Sequence, residues 1–112
     1  MSNVFTLDSL NDELNTRYGS FIFQAGNRKF ELPPVLRLPE TERKVAYQLL
    51  TSADEVQETG DLDKVTDLLA HLLQVIVRDG KGDALVQLLD RDLLKMQIVI
   101  EKWSEATQPG EA

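Results

Sequence analysis

Hydrophobic positions repeat with two different periods along this chain, and they predict a small β-ribbon set before a group of helices. Leucines spaced three and four residues apart predict a short first helix over residues 7–16, which Thr6 or Asp8 can cap. Aromatic and aliphatic residues then alternate with polar ones on both sides of Gly26-Asn27, a pair suited to a tight turn. A hairpin over residues 20–32, with strands 20–24 and 28–32, is therefore predicted.

The rest of the chain has the period of α-helices. The proline pair 33–34 cannot continue a strand ladder, so the ribbon ends there. The predicted helices cover residues 39–58, 61–79, 83–90 and 91–105. The second of these carries the widest apolar arc and is expected to form the core centre, with Leu69, Leu72, Leu73 and Ile76. The predicted fold class is α+β, mostly α: a short N-terminal helix and a β-hairpin followed by a bundle of three to four helices.

One compact domain is expected over residues 1–106, followed by a flexible tail at 107–112. The chain has 112 residues, of which 42% are hydrophobic, which is enough to bury a core without a metal or a disulfide. The last six residues, TQPGEA, are small, polar and interrupted by proline and glycine. The absence of a long apolar run near the N-terminus predicts a cytosolic protein without a membrane span.

The last predicted helix has apolar residues on two faces. Trp103 belongs to one face, whereas Leu94 and Ile98 point to nearly the opposite side. Either another helix covers these two residues, or they form part of an exposed apolar patch for a partner. The candidate partner-binding residues are Leu94, Ile98, Glu101, Glu105 and, in the connector after the hairpin, Val35 and Leu36.

Charge and cysteine content exclude several classes of function. The formal net charge of -7 disfavours nucleic-acid binding, because that binding depends on Lys and Arg displacing counterions from phosphates. The chain has no Cys, which excludes disulfides, thiolate nucleophiles and Cys-based metal sites. Residues 54–67 hold six acids against the single base Lys64, and they are either a surface for a basic partner or, more simply, a solvated face.

Residues with catalytic potential do not form a recognisable site. His71 is the only histidine and is expected at the surface or its boundary, with no second His or Cys to complete a ligand set. The aspartates at 61, 63 and 67 lack the glycine and the glutamate of a calcium loop, and the DGKGD segment at 79–83 lacks phosphate-loop spacing. No serine lies in a G-x-S-x-G context. No enzyme activity, cofactor or metal is predicted, and a small metal-dependent hydrolase using Asp61, Asp63 and His71 is the remote alternative.

Four segments give the chain a resemblance to a known family. VFTLDSLNDEL, FIFQAGNRKFEL, VLRLPETERK and IEKWSEATQPGEA resemble the tail assembly chaperones of long-tailed bacteriophages, especially those of actinobacterial hosts. The resemblance implies a non-enzymatic factor of the host cytoplasm, absent from the mature virion, that binds the tape measure protein while tail tube subunits polymerise around it. It also implies contact with the tail tube protein and a longer form made by programmed frameshifting, of which this chain is the shorter counterpart. Self-association is a further candidate contact. A generic helical adaptor or regulatory module is the alternative that the residues alone leave open.

Overall fold

A computed structural model describes residues 4–107, and in this range the protein is mostly helical with one two-stranded antiparallel hairpin. The predicted fold class is confirmed. The elements in chain order are α1 (Leu7–Arg17), β1 (Phe21–Ala25), β2 (Arg28–Leu32), a 3-10 turn (Val35–Arg37), α2 (Glu40–Thr59), α3 (Leu62–Ile76), a second 3-10 turn (Arg78–Gly80), α4 (Gly82–Leu88) and α5 (Leu93–Thr107). Thr107, predicted as the first residue of the flexible tail, is the last residue of α5, and the rest of that tail, residues 108–112, lies outside the described residues.

The hairpin turns its aromatic side inward. In its register Phe21 faces Leu32 and Phe23 faces Phe30, whose ring centroids lie 6.4 Å apart. Phe30 and Leu32 are buried, and β1 packs against α5. Gly26 has a φ of 62° at the tip, a backbone conformation that glycine adopts without steric cost. The turn predicted at Gly26-Asn27 is thus where the chain reverses.

Helix α3 occupies the centre of the core. Its residues Leu69, Leu72, Leu73 and Ile76 are all buried, as predicted, and the helix contacts α2, α4 and α5. The Asp61 carboxylate accepts a hydrogen bond from the Lys64 amide and caps the helix. One fixed central helix therefore positions the three others of the bundle.

Three helices have a boundary that differs from the predicted one by two residues or more. The helix predicted over 61–79 ends at Ile76, because Val77 is extended and Asp79 has a φ of 62°. The helix predicted over 83–90 covers Gly82–Leu88. Asp90 and Arg91 have φ values of 56° and 50°, so the helix predicted to begin at 91 begins at Leu93. Non-glycine residues seldom adopt such backbone angles, which is why the sequence pattern did not reveal the break.

Candidate interaction surfaces

The outer face of α5 is open to solvent. This face comprises Leu94, Ile98, Glu101 and Glu105, spaced four, three and four residues apart on one side of the helix. Leu94 is 66% exposed and Ile98 is 54% exposed, and both glutamates are exposed as well. Of the two possibilities that the sequence allowed, coverage by another helix is therefore ruled out within the described residues.

A cap and an anchor fix the rotation of α5. The Asp92 carboxylate accepts hydrogen bonds from the amides of Leu94 and Lys95, at 2.9 and 3.1 Å. At the other end, the buried Trp103 indole donates from Nε1 to the Pro33 carbonyl, 2.8 Å away. Leu94 lies nine residues before Trp103, which at about 100° per residue is half a turn of the helix wheel. Burying the indole consequently places Leu94 on the solvent side.

A second apolar surface lies where the connector meets α2 and α5. This surface, called here the connector groove, has a volume of about 190 Å³. It is lined by Tyr18, Pro34, Val35, Leu36, Tyr47, Leu50, Trp103, Ser104 and Thr107. Leu36 is exposed at its rim, whereas Val35 is half-buried. Both connector candidates named from the sequence thus lie in one groove.

Tyr47 is a groove residue that the sequence reasoning missed. It follows Ala46, which belongs to the buried stripe of α2, and it points away from that stripe with half of its surface exposed. In the sequence, Tyr47 is distinguished only by being an aromatic residue next to the apolar stripe of α2 and not within it. Such a residue is informative only when a neighbouring element is known to approach it.

Helix α1 carries a third exposed apolar surface. No residue of α1 is buried, although Leu7, Leu10 and Leu14 lie on one side of the helix. Thr6 caps the helix by accepting a hydrogen bond from the Ser9 amide. The Arg37 guanidinium holds its other end by donating to the Asn15 side-chain oxygen and to the Tyr18 carbonyl, at 3.0 and 3.2 Å. Its leucines are consequently held outside the core.

The acidic residues of segment 54–67 are all exposed. Asp61 caps α3, and Asp67 forms an ion pair with Arg91. A surface ion pair and a helix cap each contribute about 1 kcal/mol or less to the free energy of unfolding, and both stabilise the local structure around α3. The remaining acids of the segment form a solvated acidic end of the molecule.

No group of three or more His, Cys, Asp or Glu residues in the described part of the chain is arranged to hold a metal ion. His71 is exposed on α3, as predicted. Asp61 and Asp63 lie at the start of that helix, and Asp61 already serves as its cap. Of the helices between residues 4 and 107, none combines the length and apolar character needed to cross a bilayer.

These features define a small, mostly helical protein that exposes apolar residues on α1, on the outer face of α5 and in the connector groove. A model of the mycobacteriophage tail assembly protein family matches residues 1–112, the whole of the sequence. The chain belongs to that family, so its role is in phage tail assembly. No curated protein and no solved structure matches it.

Proposed function

We propose that this protein is a non-enzymatic chaperone that binds the tape measure protein during assembly of the phage tail tube. Membership in a tail assembly family supports the assembly role. The observation that carries the binding role is the exposed pair Leu94 and Ile98 on a helix whose opposite side is anchored by Trp103. An anchored helix presents this pair in one fixed orientation, which lowers the ordering cost of binding.

The chemistry of the outer face of α5 suits an amphipathic helix as its client. Leu94 and Ile98 provide one helical turn of apolar contact, and Glu101 and Glu105 extend the same face with negative charge. A client helix with apolar residues at i and i+4 and basic residues in its next turns matches this arrangement. A long tape measure helix held in this way has its apolar positions covered until tube subunits replace the chaperone.

The same proposal covers where the protein acts, when it leaves the assembling tail and in which forms it is made. The protein acts in the host cytoplasm, leaves before the virion is complete, and is the shorter of two forms produced by frameshifting. Mass spectrometry of infected cells and of purified virions tests this directly. A longer product sharing the N-terminal peptides of this chain is expected in cells, and neither form is expected in purified tails.

Changing Leu94 and Ile98 together to Asp tests the binding surface. Because a charge placed in an apolar contact costs several kcal/mol unless it is paired, capture of tape measure fragments should weaken by about a hundredfold or more. The matched control is Leu62→Asp with His71→Asp, which adds the same two charges to exposed positions of α3. Circular dichroism should show parent-like helicity for both variants, because neither pair is part of the core.

Two results would contradict the assignment of this surface. Unfolding of the Leu94 and Ile98 variant would mean that these residues support the core. Parent-like capture by the folded variant would mean that the client binds elsewhere, with Val35 and Leu36 in the connector groove as the next residues to change.

A further inference from the structure

We propose that the groove between α2 and α5 receives an α-helix of a partner protein, and that this helix carries a basic residue about one turn from an apolar residue. This α2–α5 groove consists of the connector groove and a second depression of about 280 Å³. Leu50 of α2 and Ser104 of α5 line both depressions, so the two are continuous. The proposal rests on the proposed function in one respect only, which is that the client supplies this helix.

The length of the α2–α5 groove suits a helix. Along α2 the lining extends from Tyr47 to Gln57. Along α5 it extends in the opposite direction, from Thr107 to Gln97. Each wall therefore spans about ten helical residues, or about 15 Å. Between the walls, the buried Leu69 of α3 lines the floor, because α3 packs against both helices. Nearly three turns of a partner helix match this length.

The connector end of the groove is apolar. Leu36 and Tyr47 are each about half exposed there, and Val35 and Leu50 are half-buried. Among the described residues, none with a charged side chain lines this end. Apolar side chains of a partner helix would remove apolar surface of both molecules from water, which is the main source of affinity in this mode of recognition.

The other end of the groove carries two acids on opposite walls. Asp54 lies one helical turn after Leu50, and Glu101 lies three residues before Ser104. Both carboxylates are exposed, and neither takes part in an ion pair within residues 4–107. No Lys, Arg or His of the same range lines the groove. A Lys or Arg of the partner helix, placed one turn from the apolar residue that enters the connector end, would lie near both carboxylates.

The same charges disfavour occupants from this chain itself. Helix α1 carries three acids, at positions 8, 12 and 13, against the single base Arg17, so α1 of a second copy would bring like charge to these carboxylates. Residues 108–112, QPGEA, contain no basic residue and no large apolar one. A basic amphipathic helix of another protein matches both ends of the groove.

The α2–α5 groove adjoins the outer face of α5 without coinciding with it. Glu101 belongs to both surfaces, whereas Leu94 and Ile98 do not line the groove. Leu94 and Gln97 are three residues apart, so at about 100° per residue their side chains point about 60° apart around the helix. A client with two neighbouring helices can therefore occupy the two surfaces together, and each surface can be altered while the other is left unchanged.

Two designed peptides test the chemistry of the groove without the client. Both have about 20 residues, long enough for a helix to form in water, and the same apolar stripe. One peptide carries Lys one turn from a central leucine of that stripe, and the other carries Glu there. The Kd values are measured by fluorescence anisotropy of the labelled peptides, and the parent should bind the Lys peptide about tenfold more tightly or better.

Charge reversal decides whether Asp54 and Glu101 cause this preference, because a net charge of -7 alone favours a basic peptide. Asp54→Lys with Glu101→Lys should invert the preference in favour of the Glu peptide. Glu55→Lys with Glu58→Lys makes the same change in net charge at exposed positions of α2 outside the groove lining, and it should retain the parent's preference. Circular dichroism should show parent-like helicity for both variants. Binding of neither peptide to the parent, or an equal shift of preference in the two variants, would overturn the proposal.

Uncharged substitutions separate the groove from the outer face of α5. Leu36→Gln with Tyr47→Gln should weaken binding of both peptides about tenfold or more, because it removes apolar contact at the connector end. Leu94→Gln with Ile98→Gln should leave both Kd values within about twofold of the parent's. Equal effects of the two variants would contradict binding in the groove. A parent that sediments as a dimer and dissociates when a peptide binds would place a second copy there and would equally overturn the proposal.

Fragments of the tape measure protein identify the source of the helix. The Asp54 and Glu101 reversal should weaken their capture about tenfold or more relative to the Glu55 and Glu58 control. Parent-like capture by the reversed variant would show that the client does not use the groove and would overturn the proposal. Failure of the parent to capture any fragment would instead contradict the proposed function, and the peptide measurements would still decide the chemistry of the groove.

Discussion

Gly82 is the glycine at which a single methyl group should be most damaging. A Cβ atom at this position would lie 2.4 Å from the Gln74 Cα and 2.8 Å from the Leu73 carbonyl oxygen. Both contacts are backbone atoms of α3, so no side-chain rotation can relieve them. The start of α4 would have to move away from α3, which would disturb the buried residues Leu85 and Val86.

The expected cost of Gly82→Ala follows from this geometry. Insertion of a methyl group into a packed interior typically costs about 1–3 kcal/mol. The clash with backbone places this case at the upper end, and alanine's better helix propensity returns at most about 1 kcal/mol. We expect a net loss of about 2 kcal/mol in the free energy of unfolding, measured by urea denaturation. Since a loss of 1 kcal/mol lowers Tm by about 4–8 °C in a small domain, a fall of about 10 °C should accompany it.

Gly60 supplies the matched control. It has a φ of 79° and no atom within 4 Å of an added Cβ, so its constraint is conformational and not steric. Gly60→Asn should therefore be tolerated better than Gly60→Ala, because asparagine adopts left-handed angles more readily. At Gly82 the order should reverse, since the larger side chain meets the same backbone. An unfolding free energy for Gly82→Ala within about 0.5 kcal/mol of the parent would refute the close approach of α3 and α4.

Two further predictions test the core and the anchor of α5. Leu72→Ala should cost about 2–5 kcal/mol because Leu72 is fully buried, whereas Leu62→Ala at an exposed position should change stability by less than about 0.5 kcal/mol; similar losses in urea denaturation would show that the core is misplaced. Trp103→Phe should cost about 1–3 kcal/mol, because it removes the indole hydrogen bond and leaves the Pro33 carbonyl without that donor. Parent-like stability of this variant would show that the bond does not hold α5 to the connector.

The elements with strong periodic signals could be predicted from the sequence. The core arc of α3 and the alternation of the hairpin depend on local spacing, so Leu72 and Phe30 are buried where the pattern predicted. The residues at which helices end were harder to predict from the sequence. Asp90 and Arg91 interrupt the helical segment by adopting left-handed backbone angles. The close approach of α3 to Gly82 depends on tertiary packing, which the local sequence pattern does not contain.

Of the candidate surfaces, the outer face of α5 could be predicted from the sequence, whereas the connector groove could not. The two faces of α5 follow from helical spacing, so Leu94 and Ile98 could be named in advance. The connector groove depends on the hydrogen bond between Trp103 and Pro33, which are 70 residues apart, and on Tyr47 approaching from α2. The local spacing of apolar residues does not reveal contacts between residues so far apart in the chain. Val35 and Leu36 could therefore be named as candidates, but the groove that they line could not.

The exposed apolar residues lie outside a hydrophobic core that other residues form. The Trp103 indole is hydrogen-bonded, and no buried side-chain nitrogen or oxygen atom in the described residues lacks a hydrogen-bond partner. Polar residues at 94 and 98 would leave that packing unchanged and would improve solubility. Single exposed leucines are ordinary in proteins, but here they occur in pairs at helical spacing on both α1 and α5. A net charge of -7 opposes nonspecific association of such a surface. Exposed apolar surfaces combined with strong like charge favour selective contacts over general aggregation.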